Sequence, residues 1–150
     1  MNAERAAADN EEAFCDVFEL LLELHKVGGY APLDIDKLTR DTYAVLTHGM
    51  TFIARDEKGT PIGILGLVEE PFYYSQVTFL GSKWLYVRPE HRGGPAFRAL
   101  LHAAKAEAEA RDKLLFIQID NPDRRPKSTR TTIEAQGAGF VPLGYTLRIR

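Results

Sequence analysis

The chain has 150 residues and a formal net charge of −2, with 45% hydrophobic and 27% charged residues. This length suits a single domain over 1–150 with a substantial core, and the composition is that of a soluble globular protein. The weak negative charge disfavours a general nucleic-acid-binding surface, although residues 1–48 are acidic, with ten carboxylates against four Lys or Arg, and residues 111–150 are basic, with eight Lys or Arg against four carboxylates.

The N-terminal third predicts two helices. Residues 1–8 show no strand pattern, and we expect them to be frayed. A helix capped by Asp9 or Asn10 follows, with apolar side chains at helical spacing and an acidic face that we expect to be only solvated. The pair Gly28–Gly29 ends this helix, and a second amphipathic helix is expected to end near Gly49.

The sequence disfavours an intrachain disulfide, a metal site, and a signal peptide or membrane span. Cys15 is the only cysteine, which excludes an intrachain disulfide, and its place on the apolar side of the first helix predicts a buried structural thiol. The four histidines have no ligand-like spacing, so no metal site is predicted. A polar N-terminus and the lack of a long apolar run predict neither a signal peptide nor a membrane span, and we therefore expect a cytoplasmic protein.

From Met50 the pattern changes to that of strands. Three strands are predicted, the second apolar enough to be central, over residues 51–55, 61–69 and 77–87. Residues 56–59 predict a hairpin turn between the first two. Gly63 and Gly66 interrupt the second strand, which indicates a bulge or a close approach of another group to the backbone. Residues 69–75 are expected to form a loop dense in aromatic side chains.

The stretch 84–120 predicts a strand, a Gly-rich turn with a cation, a helix over 96–112 and a buried strand over 114–120. Because a helix joins the two strands, they should be parallel with a right-handed crossover. Glycines allow close backbone approach, and the free N–H groups at a helix start carry partial positive charge, so the turn is a candidate phosphate site. A basic loop over 121–127, a short helix over 129–136 and a strand or hairpin over 140–150 complete the chain.

The turn resembles the acetyl-CoA-binding motif of the GNAT (Gcn5-related) N-acetyltransferase family. The residues that carry the resemblance are Val87, Pro89, Arg92, Gly93 and Gly94, followed by Ala99, Leu100 and Leu101. Pro95 and Phe97 stand where the family usually has small residues. Pro95 has no N–H to offer a pyrophosphate, and Phe97 is bulky.

The resemblance extends over nearly the whole chain and implies an α/β (α+β) fold. The expected central sheet is mixed and mostly antiparallel, with one parallel strand–helix–strand unit and helices on both faces. Gly139 and Phe140 stand where the family commonly has Gly-Phe before its last strands. The family's usual first strand is not evident in residues 1–8, so we expect a shortened sheet edge. In appearance the chain is most similar to small family members encoded by tailed phages and prophages.

The resemblance also implies acetyl-CoA as co-substrate and direct attack of an amine on its thioester. The backbone of residues 85–87 would pair with the pantetheine arm, and the N–H of Leu85 would polarise the thioester carbonyl. Arg92 and nearby N–H groups would hold the pyrophosphate, Arg98 would assist or be solvated, and Asn121 would face the cofactor arm or simply form a turn. The implied cofactor-binding residues are Leu85, Tyr86, Val87, Arg92, Gly93, Gly94, Ala96, Phe97, Arg98 and Asn121.

Proton transfer is less clearly indicated. Family members often have a Tyr four residues before the Gly of Gly-Phe, where this chain has Ala135, and Tyr145 is a substitute, as are Tyr86, Tyr73 and Tyr74. Glu69 and Glu70 end a strand that is expected to face the acceptor groove, so either carboxylate is a candidate base acting through a water. Each of these side chains could instead be a packing or solvated group.

The favoured hypothesis is an acyl-CoA-dependent N-acyltransferase, with acetyl as the expected acyl group, acting on a small-molecule or protein amine. The alternative is a catalytically inactive protein that keeps the fold as a binding or assembly surface, as Pro95, Phe97 and Ala135 would allow. Nucleic acid binding through the cations of residues 124–130 is the least favoured reading. An exposed sheet edge, near the N-terminus or at residues 140–150, could pair two copies in a homodimer.

Overall fold

The structure is a computed structural model that describes residues 1–119, 137 and 139–141. Within them, three helices and five strands follow one another in the order β1, α1, α2, β2, β3, β4, α3, β5. The helices are α1 Glu11–Gly28, α2 Ile35–His48 and α3 Pro95–Ala110. The strands are β1 Ala3–Arg5, β2 Met50–Arg55, β3 Pro61–Pro71, β4 Thr78–Val87 and β5 Leu115–Phe116. A short 3-10 turn, Pro89–His91, lies between β4 and α3.

The five strands form one sheet in chain order, from β1 at one edge to β5 at the other. Neighbouring strands are antiparallel except β4 and β5, which are parallel and joined through α3. α1 and α2 cover one face of the sheet and α3 covers the other. These features confirm the expected fold class, with its mostly antiparallel sheet, single parallel unit and helices on both faces.

Each face of the sheet has its own apolar core. On the α3 face, the small stripe Ala96, Ala104 and Ala108 lets the helix approach β2, β3 and β4 closely, and Leu65 and Leu100 are fully buried there. On the other face, α1 packs its own apolar stripe, which includes Val17 and Leu20, against β3 and β4. Side chains alternate along β3, so Leu65 lies on one face of the sheet and Ile64 on the other. Both are fully buried, which is why this central strand is apolar on both faces.

Local sequence signals set the helix ends and the hairpin. Asn10 caps α1, its side chain accepting a hydrogen bond from the N–H of Ala13 at 3.1 Å. Asp34 caps α2 in the same way through Lys37 at 2.9 Å. The turn between β2 and β3 forms around Asp56, whose carboxylate accepts from two backbone N–H groups, and Gly59 adopts the positive φ of 83° that the turn requires.

Four expectations were wrong. Residues 1–8 are not frayed throughout, because Ala3–Arg5 pairs with β2 and supplies the edge strand. Cys15 is exposed, not buried. The acidic face of α1 is not only solvated, because Asp16 lies 2.7 Å from a guanidinium nitrogen of Arg55. β5 is two half-buried residues long rather than a buried strand over 114–120.

Of the two features predicted for the glycines of β3, the close approach is observed at Gly66, and the bulge lies in the partner strand β4. Gly66 pairs with Trp84 and Leu67 pairs with Ser82, so Lys83 is an extra residue that bulges from β4. The bulge shifts the alternation of β4, because Leu80 before it and Leu85 after it both lie on the α3 face. Close approach also occurs at Gly66, where an added Cβ would lie 2.4 Å from Nε1 of Trp84.

Several expectations concern residues outside the described part of the chain. These are Asn121, Ala135, Tyr145, the basic loop over 121–127, the helix expected over 129–136 and nearly all of the strand over 140–150. Among the helices that the structure does describe, none combines the length and apolar character needed to cross a membrane.

Candidate active site

The strands β4 and β5 pair only briefly and then separate. Their register joins Leu80 to Leu115 and Gly81 to Phe116 and goes no further. The next contact is not between backbones, because the N–H of Gln118 donates to the side chain of Ser82 at 2.8 Å. Beyond Ser82, β4 therefore has no strand paired to its outer edge among the described residues, and its last residues border an open gap in the sheet.

The backbone groups that face this gap follow from the antiparallel pairing of β4 with β3. The N–H of Arg88 donates to the carbonyl of Ile62 at 2.9 Å, so residue 88 faces β3. Backbone groups alternate in direction along a strand, so those of Tyr86 also face β3, whereas those of Leu85 and Val87 point towards the gap. Leu85 and Val87 thus offer N–H and C=O groups to an extended ligand, as another strand would.

The turn after β4 leads directly into the start of α3. Gly93 has a φ of 81°, a left-handed conformation that favours glycine, and Gly94 is the N-cap of α3. Pro95 occupies the first helical position, where a missing N–H costs nothing. No side chain of the described residues caps the helix, and the N–H groups of Ala96 and Phe97, which belong to its first turn, have no intrahelical partner. This arrangement suits a negatively charged oxygen.

The side chain of Phe97 does not enter the turn. It is buried in the α3 core, with 8% of its surface exposed, next to the fully buried Ala96. The large residue at this position therefore fills space beneath the helix instead of obstructing its N-terminus. Arg98, one residue further on, is exposed at the surface of α3 and borders a groove of about 580 Å³ between α3 and residues 1–3.

Arg92 lies over the end of β4. Its Nε donates to the carbonyl of Val87 at 3.0 Å, and its guanidinium carbon lies 5.9 Å from the centre of the Tyr86 ring. A guanidinium at this distance from an aromatic face is attracted to it. The structure therefore places the cation of the turn beside the open edge of β4 and near the start of α3.

A network that the sequence analysis did not predict anchors this end of β4 to α1. Arg88 makes hydrogen bonds of 2.8 to 3.1 Å with both carboxylate oxygens of Glu23, and one of its nitrogens lies 3.3 Å from Glu19. The Tyr86 hydroxyl donates to Glu23 at 3.4 Å. The bonds to Glu23 raise the pKa of Arg88, while burial and the Glu23 carboxylate raise the pKa of Tyr86. The helical spacing of the acidic face gave no sign of a partner 65 residues away.

Glu69 and Glu70 lie on opposite faces of the sheet. Glu69 is on the α3 face, where it accepts a hydrogen bond from the Thr78 hydroxyl at 2.7 Å and lies 2.8 Å from Nζ of Lys113. The Lys113 and Thr78 bonds hold the pKa of Glu69 below its usual value. A carboxylate with a lowered pKa is a weaker base, so these contacts disfavour proton transfer to Glu69.

Glu70 lies on the face covered by α1 and α2, beside an aromatic cluster. It has no hydrogen-bond or ion-pair partner among the described residues. A Cβ built on Gly81 would lie 3.6 Å from the Glu70 carboxylate and 3.2 Å from the Phe79 ring, so both groups lie over this glycine. Phe79 in turn contacts Phe72 and Phe116, at ring-centre distances of 4.7 and 5.2 Å.

A model of a known protein family matches most of the chain. The model of the acetyltransferase (GNAT) family matches residues 14–126, which is well over half of the chain. The chain therefore belongs to the acetyltransferase (GNAT) family. No curated protein sequence matches it significantly.

Solved structures of acetyltransferases are similar in fold. The ribosomal-protein-alanine N-acetyltransferase from Brucella melitensis biovar Abortus 2308 has a TM-score of 0.66 at 16% identity, with 100% of this chain and 99% of that chain covered. The enzyme AAC(6′)-Iy, bound to a bisubstrate analogue made from CoA and acetylneamine, has a TM-score of 0.72 at 15% identity, with 100% and 98% covered. An aminoglycoside acetyltransferase from an uncultured soil metagenomic sample, bound to sisomicin, has a TM-score of 0.66 at 17% identity, with 98% and 96% covered.

At these identities the likeness shows the fold alone. The resemblance to the GNAT family that the motif predicted is confirmed by the family match and by the fold. None of the three structures is described as a phage protein, so the expected affinity to phage-encoded members stays a prediction.

Proposed function

We propose that this protein is an N-acetyltransferase that transfers the acetyl group of acetyl-CoA to an amine. The observation that carries the proposal is the separation of β4 from β5 after Gly81, which leaves the backbone groups of Leu85 and Val87 facing a gap. The gap lies at the end of the strand that leads into the Gly93 turn and the start of α3. A ligand with an extended amide-containing arm and a diphosphate fits both features.

The described residues suit the two parts of such a ligand. Leu85 and Val87 would pair with the amides of the pantetheine arm, and the Leu85 N–H would donate to the thioester carbonyl, where negative charge develops during attack. The N–H groups of Ala96 and Phe97 would hold the diphosphate, with Arg92 and Arg98 supplying positive charge. The N–H of Gly94 already donates to the carbonyl of His91 at 3.2 Å, which makes it a weaker candidate.

In the proposed reaction, the neutral amine attacks the thioester carbon directly. The new C–N bond forms as the C–S bond breaks, the nitrogen loses a proton, and the CoA thiolate takes one up. The aminoglycosides named with two related structures carry amino groups, which supports an amine as acceptor. Tyr145 lies outside the described residues, and Glu69 is held by Lys113 and Thr78, so the acid and base stay predictions.

Calorimetric titration with acetyl-CoA tests the cofactor site. We expect micromolar binding of acetyl-CoA and of desulfo-CoA to the wild type. We expect Arg92→Ala to weaken binding roughly tenfold or more, because a charged hydrogen bond to a phosphate contributes about 1.5–3 kcal/mol. The matched control is Arg40→Ala, which removes an exposed Arg from α2, on the other face of the sheet. If Arg40→Ala weakens binding as much as Arg92→Ala does, the assignment of the cofactor site to the turn is rejected.

One observation favours the alternative of a non-catalytic binding protein. The Val87 carbonyl, which would pair with the pantetheine arm, already accepts a hydrogen bond from Nε of Arg92. If Arg92 closes the edge of β4 permanently, the fold serves as a scaffold. The same titration separates the two functions, because a protein that shows no heat of binding at millimolar acetyl-CoA cannot be an acetyl-CoA-dependent enzyme.

A further inference from the structure

The hairpin of β3 and β4 extends beyond the rest of the sheet. β2 pairs with β3 only as far as Leu67, and β5 pairs with β4 only from Leu80. Within the described residues, the strand residues of 68–79 therefore pair only with each other, and we call this segment the aromatic arm. A two-stranded hairpin on its own is marginally stable in water, so the arm gains stability from a surface that packs on it.

Hydrogen bonds within the turn fix the tip of the arm. The N–H of Phe72 donates to the carbonyl of Val77 at 3.1 Å, and the N–H of Ser75 donates to the carbonyl of Phe72 at 3.1 Å. The N–H of Val77 donates to the Ser75 hydroxyl oxygen at 3.0 Å. The backbone of the tip is therefore set within the turn itself, whatever its side chains contact.

Aromatic rings form a continuous row from the tip to β5. Tyr73 lies edge to face against Tyr74, with ring centres 5.0 Å apart, and Tyr74 stacks on Phe72 at 5.6 Å. Phe72 contacts Phe79 at 4.7 Å, and Phe79 contacts Phe116 at 5.2 Å. The partly buried phenylalanines thus support two tyrosines that are 99% and 72% exposed.

The apolar surface of the arm is large enough for a weak interface. An aromatic side chain offers about 150–250 Å², so Tyr73 and Tyr74 together expose roughly 260–430 Å². Val77 and Leu114, which are 65% and 62% exposed, extend this surface. The largest apolar patch of a typical monomer covers about 300–600 Å² and is often functional. Two such patches in contact would bury roughly 1,000 Å², which is the size of a weak, transient interface.

The sequence of the tip selects the kind of partner. Residues 71–79 contain no charged side chain, and Lys113, at the base of the arm, is ion-paired with Glu69. A surface without free cations gains nothing from the phosphates of nucleic acid or from anionic lipid headgroups. An uncharged aromatic surface can, however, lie against a copy of itself without like-charge repulsion, as a two-fold symmetric contact requires.

We propose that the aromatic arm is the contact of a symmetric homodimer, in which the tips of two copies pack against each other. Tyr73 and Tyr74 are its anchors, because a tyrosine combines a large rigid ring with a hydroxyl that can stay hydrated at the rim. The tip precedes β4 and the Gly93 turn follows it, so the two are separated by the length of a ten-residue strand, roughly 30 Å. The inference therefore does not rest on the proposed function.

Sedimentation velocity over a range of protein concentrations tests the dimer. We expect the wild type to shift from monomer to dimer with a micromolar Kd that added salt hardly changes, because no charges meet in the contact. Tyr73→Ser combined with Tyr74→Ser should raise this Kd roughly tenfold or more. The matched control is Tyr43→Ser, which removes a tyrosine that is 59% exposed on α2 and should leave the Kd unchanged.

Charges introduced at Gln76, which is exposed in the turn, test the symmetry of the contact. Gln76→Arg and Gln76→Glu each bring like charges together when two identical copies associate, so each variant should dimerise more weakly than the wild type at low salt. An equimolar mixture of the two variants should recover the association, because opposite charges then meet. Circular dichroism and urea unfolding check that all variants are folded.

A wild type that stays monomeric at millimolar concentration would overturn the inference. A dimer that the double tyrosine variant leaves unchanged, or that Tyr43→Ser weakens equally, would place the contact elsewhere and also overturn it. Failure of the mixed Gln76 variants to recover association would exclude a symmetric contact of the tips. Binding of a monomeric wild type to phosphatidylcholine vesicles, lost in the double tyrosine variant, would assign the tip to a lipid surface instead.

Discussion

Glu69 and Glu70 are neighbours in sequence with different surroundings. Successive side chains of a strand point to opposite faces, so one carboxylate meets Lys113 after α3 while the other lies over Gly81. From the sequence alone, the two are interchangeable candidates for a base. Their separate roles, one in an ion pair and one bordering a groove, follow from the register of β3 with β4.

The ion pair of Glu69 predicts a pH dependence of stability. Its lowered pKa, due first to Lys113 and then to Thr78, means that the folded state favours the charged form. The stabilisation is present above the unfolded pKa of about 4.3 and is lost as the pH falls through the lower folded value. We therefore expect Glu69→Gln to lower the free energy of unfolding at pH 7, and this difference from the wild type to shrink as the pH falls below the unfolded pKa. Urea unfolding at several pH values measures this difference, and Glu57→Gln is the control.

A difference between wild type and Glu69→Gln that is as large at pH 3 as at pH 7 would mean that the carboxylate's charge is not the cause. Packing of the methylene groups would then be responsible. Addition of salt gives a second check, because a partly exposed ion pair is screened and packing is not.

At the residue scale, the sequence predicts which residues are important better than it predicts what surrounds each of them. Cys15 lies within an apolar helix, but it is about 200° around the axis from Ala13 and Val17, which face the core, so its exposure follows from the exact phase of the stripe. Phe97 departs from the motif, yet its side chain is in the core. The Glu23–Arg88 pair joins residues 65 positions apart, and no local pattern contains that information.

At the scale of elements, the end of β4 is organised by its bulge. The extra residue Lys83 moves Trp84 onto the α1 face, where the indole lies against Gly66. The Trp84 Nε1 is buried without a hydrogen-bond partner among the described residues, which indicates that the ring's position is fixed by shape. The absence of a side chain at Gly66 is therefore a condition for this geometry.

Gly66→Ala tests that condition. The new Cβ would lie 2.4 Å from Nε1 of Trp84, so the ring or the strand must shift. We expect a loss of about 1–3 kcal/mol in the free energy of unfolding, as is typical of overpacking in a core. The penalty should shrink when Trp84→Leu first makes room, and a double-mutant cycle measured by urea unfolding quantifies the coupling. If the losses caused by Gly66→Ala and Trp84→Leu simply add, Gly66 is needed for its backbone conformation and not to make room for the Trp84 ring.

The elements that sequence patterns miss are the short ones. The three helices and the strands β2, β3 and β4 have strong apolar periodicity, and their predicted bounds agree with the structure to within a few residues. β1 has three residues and no alternation, and it forms because β2 offers an unpaired edge. The end of β5 likewise depends on where its pairing with β4 stops, after Gly81 and Phe116, so the gap that defines the site was implied only by family resemblance.

At the scale of the whole molecule, the proposed cofactor would connect the last residues of β4 with the start of α3. It would lie between β4 and the segment after β5, with its diphosphate at the start of α3. Among the described residues, the gap at this place leaves the edge of β4 unpaired, so a ligand that fills it stabilises the folded state relative to the unfolded chain. The net charge of −2 disfavours general binding of anions, so stabilisation by CoA should depend on this site.

Thermal unfolding with and without acetyl-CoA tests this connection. A ligand at a hundred times its Kd adds about 2.7 kcal/mol to stability, and each kcal/mol raises the Tm of a 150-residue domain by about 2–4 °C. We expect a rise of roughly 5–11 °C for the wild type and a clearly smaller one for Arg92→Ala at the same concentration. Inorganic pyrophosphate alone should give a small rise, because it fills only the turn and leaves the edge of β4 unpaired. An equal rise with pyrophosphate and acetyl-CoA would show that the pantetheine arm does not pair with Leu85 and Val87, and would limit the site to the start of α3.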